Sequence, residues 1–207
     1  MALSEDVPQP LTDLECELFE IRFADQTCSH RKLVHALAAF PDKIIVTCDD
    51  DLIYGSDWLQ RLYQSHQFHP HSIIGHECRK ISRGSDGVLR PYRRWPYEYK
   101  RGGSCAELMP IGFAGVLYPP ESLSEQVLNA ELYLQLSPKA DDLWFKAMSY
   151  LKGTNVVRSY EPGAKPVPVI GSQLESLGRS NVKQGGNERQ WQALSEYFQI
   201  EFHSSGG

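Results

Sequence analysis

From residue 30 to residue 40 the chain reads HRKLVHALAAF, with apolar side chains at 33, 34, 37 and 40. That spacing predicts a helix with one buried stripe. Ser29 is placed to cap its start, and Pro41 follows its end. The next run, Lys43-Ile44-Ile45-Val46-Thr47-Cys48, is apolar and β-branched without alternation. It predicts a strand covered on both faces. Ser56 or Asp57 then opens a helix reaching about His66, and Ser72–His76 (SIIGH) predicts a second buried strand.

The pattern continues on both sides. Residues 1–17 are polar and broken by Pro8 and Pro10, which predicts a loop leading into the fold. Leu18–Phe23 (LFEIRF) predicts a short strand. The stretch 82–101 is rich in Gly, Arg and Tyr and predicts a hairpin and an irregular excursion. Residues 108–120 (LMPIGFAGVLYPP) predict a tight loop and a strand. Leu143–Leu151 predicts a helix stopped by Gly153, Val156-Val157 begins another strand, and Asn187 caps a helix reaching Phe198. Residues 203–207 form a frayed tail in this reading. Strand and helix alternating at this spacing predict βαβ units, an α/β fold, and a single domain over residues 1–207.

Composition narrows the class. Of the 207 residues 41% are hydrophobic and 23% charged, and the net charge is −5, which argues against a general nucleic-acid binder. Five scattered cysteines (Cys16, Cys28, Cys48, Cys78, Cys105) form no CxxC pair and suggest free thiols in a reducing compartment. No apolar run approaches the ~20 residues of a membrane span. The expectation is a cytoplasmic protein, with room for a peripheral role at the inner face of a membrane.

The chemistry concentrates in two acidic clusters. Asp49, Asp50 and Asp51 end the buried strand. Three carboxylates there repel one another and lose hydration, a cost that a divalent cation relieves, and oxygen ligands select Mg²⁺ or Mn²⁺. Open α/β sheets also bind ligands beyond the carboxyl ends of their strands. The plainer alternative is one aspartate capping the next helix while the others stay solvated. Asp141-Asp142 opens the helix of Trp144 and Phe145, where acidic residues are favoured by the helix dipole alone. Two acidic clusters, each at the entrance of a helix, suit a metal site plus a general base.

Three segments together resemble family 2-type glycosyltransferases of the GT-A fold, closest to bacterial polysaccharide and lipooligosaccharide enzymes. They are KLVHALAAFPDKIIVTCDDDLIYGSDWL (32–59), GFAGVLYPP (112–120) and ADDLWFKAMSYLKG (140–153). The resemblance implies a mixed, mostly parallel sheet flanked by helices. It implies that Asp49 and Asp51 hold the metal, with Asp49 and Asp50 at the donor. It also makes Asp142 the base, supported by Asp141, and places Gly112 and Gly115 along the donor-sugar or acceptor pocket. The implied reaction transfers a sugar from a nucleotide diphosphate donor, UDP-linked by resemblance, to a glycan or lipid-linked saccharide with inversion.

In similar sequences a strand runs directly into the segment that reads Leu3-Ser4-Glu5-Asp6 here. The first βαβ unit is therefore expected to be incomplete, with Asp25 as the nearest remaining candidate for the nucleobase site. An exposed sheet edge would offer a route to a homodimer. The competing function is a catalytically impaired or non-catalytic relic, an interaction module without a complete donor site. Another Mg²⁺-dependent phosphate enzyme lacks support, since there is no P-loop and Asp49-Asp50-Asp51 is followed by Leu52 and Ile53.

Two further patterns carry weaker signals. His66, His69, His71, His76 and Cys78 follow no standard zinc spacing and read better as a loop and strand that contain histidines. Arg90–Arg101 (RPYRRWPYEYKR) interleaves basic and aromatic residues. It suits a surface loop or a flank of the acceptor or diphosphate, and nucleic acid is not an expected partner.

Overall fold

A computed structural model describes residues 7–24, 27–169 and 185–202. Its centre is a five-stranded sheet in the order β1 (Ile45–Thr47), β7 (Val116–Tyr118), β3 (Ile73–Gly75), β8 (Val156–Arg158), β5 (Ser104–Cys105). Two short ladders lie beside it, β2 (Leu52–Ile53) with β9 (Val167–Pro168) and β4 (Cys78–Lys80) with β6 (Leu108–Pro110). The helices are α1 (Gln9–Thr12), α2 (Arg31–Ala39), α3 (Trp58–Phe68), α4 (Ala130–Leu136), α5 (Asp141–Lys152) and α6 (Gly186–Tyr197).

Strand periodicity explains the layering. Side chains alternate faces along a strand. Val46, Leu117, Ile74 and Val157 share one face and pack with Leu62 of α3 and with Trp58. Ile45, Val116, Tyr118, Ile73 and Val156 share the other face and pack with Leu33 and Val34 of α2 and with α5. Helix α5 buries Leu143, Trp144, Phe145, Ala147 and Met148, nearly its whole circumference, as a core helix must. It ends at Gly153, whose φ of 76° is the left-handed closure that glycine adopts without steric cost.

The sheet is mixed, but its pairings are mostly antiparallel. Among the described residues only β3–β8 is a parallel pair, while β7 runs antiparallel to both β1 and β3, and β5 to β8. This corrects the expected mostly parallel pairing. Strands β1, β3 and β8 do share one direction, as βαβ connections require. Strand β7 fills the gap between β1 and β3 from the opposite direction, which the local pattern of 108–120 cannot reveal.

Other differences are local. Leu18–Phe23 is not a strand: it holds one bridge, Cys16 to Phe19, and Leu18 is 96% exposed. An apolar alternation forms a strand only against a neighbouring edge, and no described residue offers one there. Residues expected to be loop include the single turn α1, with Pro10 in its first turn. His30, not Ser29, occupies the cap position of α2, and Gly185, not Asn187, that of α6. The five cysteines are free thiols. No helix among the described residues is long and apolar enough to cross a membrane.

Arg90–Arg101 is mostly exposed, all of its Arg and Lys residues included, but two of its aromatic residues turn inward. Tyr92 and Trp95 are core residues, and Trp95 meets Trp191 of α6 edge to face at 6.2 Å. Glu188 of α6 accepts a hydrogen bond from the Tyr92 amide at 2.7 Å. Of the histidine pattern, His76 bonds the Trp58 carbonyl, His69 bonds Tyr160, and Cys78 is buried. No three His, Cys, Asp or Glu side chains among the described residues converge as a metal site.

Candidate active site

The carboxyl ends of β1, β3 and β8 and the start of β7 lie along one edge of the sheet. Helix α2 returns antiparallel to β1, so its first turn stands beside the β1 end and Asp49. Helix α5 presents its own first turn, with Asp141 and Asp142, to the same place. The two segments meet through Lys32, whose ammonium lies 3.1 Å from Asp49 Oδ1 and 2.9 Å from Asp141 Oδ2. Asp142 faces the turn before β7: the Gly112 amide donates to both of its carboxylate oxygens, at 3.1 Å each.

The electrostatics follow from this geometry. Burial opposes the charge on Lys32, but Asp141, Asp142 and Asp49 outweigh it and hold its pKa well above the ordinary value. Burial likewise works against the Asp141 carboxylate, and the Lys32 ammonium overcomes it, so Asp141 is held below the usual carboxylate range. Asp142 lacks a cation of its own. Burial, then the charge of Asp141, pushes its pKa well up, against the opposing pull of Lys32 and the Gly112 hydrogen bond. Adjacent carboxylates in one helical turn are thereby driven apart, one kept ionised and one made basic. His30, behind Asp141, is buried and lowered to about 4, hence neutral.

The glycines of the turn are occupied by close neighbours. A side-chain carbon at Gly112 would lie 2.6 Å from Asp142 Oδ1 and 2.8 Å from Lys32 Nζ. Gly115 has a φ of 104° and sits on the Trp58 indole. Trp58 Nε1 donates to the Ala114 carbonyl at 2.8 Å. The Tyr54 hydroxyl accepts from the Asp49 amide at 2.9 Å and donates to the Phe113 carbonyl at 2.8 Å. Tyr54 and Trp58 thus clamp the Asp49 turn to the Gly112–Gly115 turn.

The structure therefore brings Asp49, Asp141, Asp142 and Gly112 together, with Gly115 at the far end of the same turn. Asp50 is exposed at the tip of its turn. Asp51 is partly buried, and its carbonyl accepts from the Val169 amide at 2.9 Å, tying it to the β2–β9 ladder. Asp25 lies outside the described residues. Sequence reasoning missed Lys32, Tyr54 and Trp58. Lys32 did leave a signal, because cations in the first turn of a helix oppose its dipole and require another reason to be there.

The donor set fits a hard divalent cation in one specific way. Asp49 and Asp51 offer carboxylate oxygens, but the described residues alone assemble no cage of three acidic, thiol or imidazole ligands. Mg²⁺ and similar ions are ordinarily held by one or two carboxylates plus substrate phosphates, which is the mode of binding these two residues could support. A cation there would share Asp49 with Lys32.

No curated protein and no solved structure matches the chain significantly. The model of glycosyl transferase family 2 matches residues 16–116, a span that includes Asp49–Asp51 and the Gly112–Gly115 turn, while Asp141 and Asp142 lie beyond it. That match and this mixed α/β architecture support a domain similar to family 2 glycosyltransferases over those residues.

Proposed function

We propose that this chain transfers a sugar from a UDP-linked donor to a hydroxyl of a glycan or lipid-linked saccharide, with inversion at the anomeric carbon. The observation that supports it most is the convergence of Asp49, Lys32, Asp141 and Asp142 at the carboxyl edge of the sheet, from three separate segments. Asp142 is the base: its raised pKa suits proton abstraction near neutral pH. It takes the proton of the acceptor hydroxyl as that oxygen bonds to the anomeric carbon. The bond from that carbon to the diphosphate breaks, and the nucleoside diphosphate leaves with the electron pair.

Asp49 and Asp51 would hold Mg²⁺ or Mn²⁺ against the diphosphate, and the bound ion would supply charge stabilisation to the leaving group. Lys32 stands where its ammonium can join that stabilisation once phosphate oxygens arrive, since it already touches Asp49. Asp141 holds Lys32 in place. The Gly112 amide fixes the orientation of the Asp142 carboxylate.

Calorimetric titration of UDP, with and without Mn²⁺, tests the reading on wild type and Asp51→Ala. Metal-dependent binding that the variant loses is the expected result. A folded wild type that binds no UDP would favour a non-catalytic module instead.

A further inference from the structure

A second cavity, of about 200 Å³, opens along the same sheet edge, past the ends of β3 and β8. His76 and Glu77 from the β3–β4 link, Tyr97 and Tyr99, Arg158 at the end of β8, and Lys165 line it. Ala114 is also part of its wall, so it adjoins the turn whose Gly112 holds Asp142. Strands lie ~4.8 Å apart, which places the cavity roughly 10–15 Å from the β1 end that carries Asp49. Residues 161–169 then run from the cavity to the acidic turn. Glu161 pairs with Arg61, Lys165 pairs with Glu77 at 3.0 Å, and the Val169 amide reaches the Asp51 carbonyl.

Two of the lining residues each carry a buried polar atom without a hydrogen-bond partner, His76 Nδ1 and Glu77 Oε2. Such atoms are rare in folded proteins and ask for an explanation. Both are acceptors. His76 Nε2 lies 3.0 Å from the Trp58 carbonyl, so that nitrogen carries the proton and Nδ1 offers a lone pair. Burial keeps the ring neutral. The missing partner must therefore donate hydrogen bonds, which hydroxyl groups do and ionised phosphates do not.

Charge points the same way. Lys165 is engaged by Glu77, and Arg158 donates to the Tyr99 carbonyl at 3.1 Å. Glu77 and Glu98 balance these two cations within the lining, which leaves no surplus of positive charge for a diphosphate. Tyr99 is 77% exposed, and its ring lies 6.2 Å from that of Tyr97, giving an aromatic wall. The volume is below the ~300–1,000 Å³ of pockets that enclose drug-sized ligands, so it suits a single ring.

Resting on the glycosyltransferase reading, we propose that this cavity holds one neutral pyranose ring of the acceptor glycan, its hydroxyls donating to Glu77 Oε2 and His76 Nδ1 and one face against Tyr99. The ring bound here is not the one that reacts. Its distance from Asp49 requires an acceptor longer than one sugar, with the reacting hydroxyl reaching Asp142.

Saturation-transfer NMR with methyl glucoside, methyl galactoside and methyl N-acetylglucosaminide tests this on wild type, Glu77→Gln and Tyr99→Ala. Calorimetric UDP titration with Mn²⁺ on the same samples runs in parallel. At least one glycoside should give signal with wild type, roughly tenfold weaker binding in each variant, and no displacement by UDP. Because Tyr99 is mostly exposed, its variant retains the fold and keeps the test valid if Glu77→Gln unfolds. Absence of signal from every glycoside, signals unchanged in Tyr99→Ala, or displacement by UDP would each overturn the assignment. Glycoside binding intact in a wild type that fails to bind UDP would remove the transferase reading and leave the cavity's chemistry standing.

Discussion

Lys32 and Asp141 form an ion pair, Nζ to Oδ2 at 2.9 Å, that joins the first turn of α2 to the first turn of α5. The same ammonium reaches Asp49, so a single cation bridges carboxylates from two distant segments. Asp49 beyond the end of β1 and Asp141 at the start of α5 would repel one another at close range, and in this fold the chain supplies the counter-charge itself.

Lys32→Met is therefore expected to lower stability by roughly 2 kcal/mol, by stripping Asp49 and Asp141 of their partner. Excess Mn²⁺ should restore part of the loss if it binds the freed carboxylates. Thermal unfolding of wild type and variant, each with and without Mn²⁺, measures both effects. A stability loss indifferent to the metal would show that Asp49 does not serve as a ligand.

Asp142→Asn is expected to reduce turnover by about 10²–10⁴-fold while UDP affinity stays close to wild type. The pH dependence follows from burial and Asp141, which push the Asp142 carboxyl up to about 7. Only the ionised form accepts a proton, so wild-type turnover should rise as pH climbs through that value. Stability should move oppositely, since a raised carboxyl pKa stabilises the fold at low pH and loses that contribution as pH rises through about 7. The variant should therefore gain stability relative to wild type between pH 5 and pH 8. Denaturant midpoints at the two pH values check the sign.

The two glycines of the turn should respond differently. Gly115→Ala meets the Trp58 indole at a φ of 104°, and both backbone and packing resist it, at a cost above about 1 kcal/mol. Gly112→Ala instead presses on the Asp142 carboxylate and the Lys32 ammonium. It should lose activity with a smaller change in stability, because a carboxylate or ammonium can swing aside where an indole packed against the sheet and bonded to the Ala114 carbonyl cannot. Unfolding and turnover measured on both variants separate the two behaviours.

Lys146 is 2% exposed, its ammonium bonded to the Ala106 carbonyl at 2.6 Å, and burial lowers its pKa to about 8. A base lowered on folding stabilises the fold at high pH and loses that contribution as pH falls through about 8. Lys146→Met should accordingly be more stable than wild type near pH 6, by about 1 kcal/mol, with the difference shrinking by pH 9. Equal stability at both pH values would show that the ammonium is solvated in place.

The elements that period and punctuation predict were those whose apolar side chains find neighbours. HRKLVHALAAF folded as a helix because Leu33 and Val34 meet the sheet, and the Ile45–Thr47 run became a strand because both of its faces are covered. Leu18–Phe23 had the right alternation and no edge to join among the described residues, so it stayed irregular. The turn at Gly153 was legible because a single left-handed residue decides it locally.

By itself the sequence determined an α/β chain with acidic residues at a strand end and at a helix start, since local periodicity and helix-end chemistry are written in neighbouring residues. Tertiary structure alone decided that β7 enters antiparallel between β1 and β3. It also decided that Lys32 lies between Asp49 and Asp141, and that His76 and Glu77 line a cavity with unsatisfied acceptors. Each of these depends on which segments become neighbours. That is settled by covering both faces of the sheet and balancing buried charge across the whole chain, and no window of adjacent residues contains it.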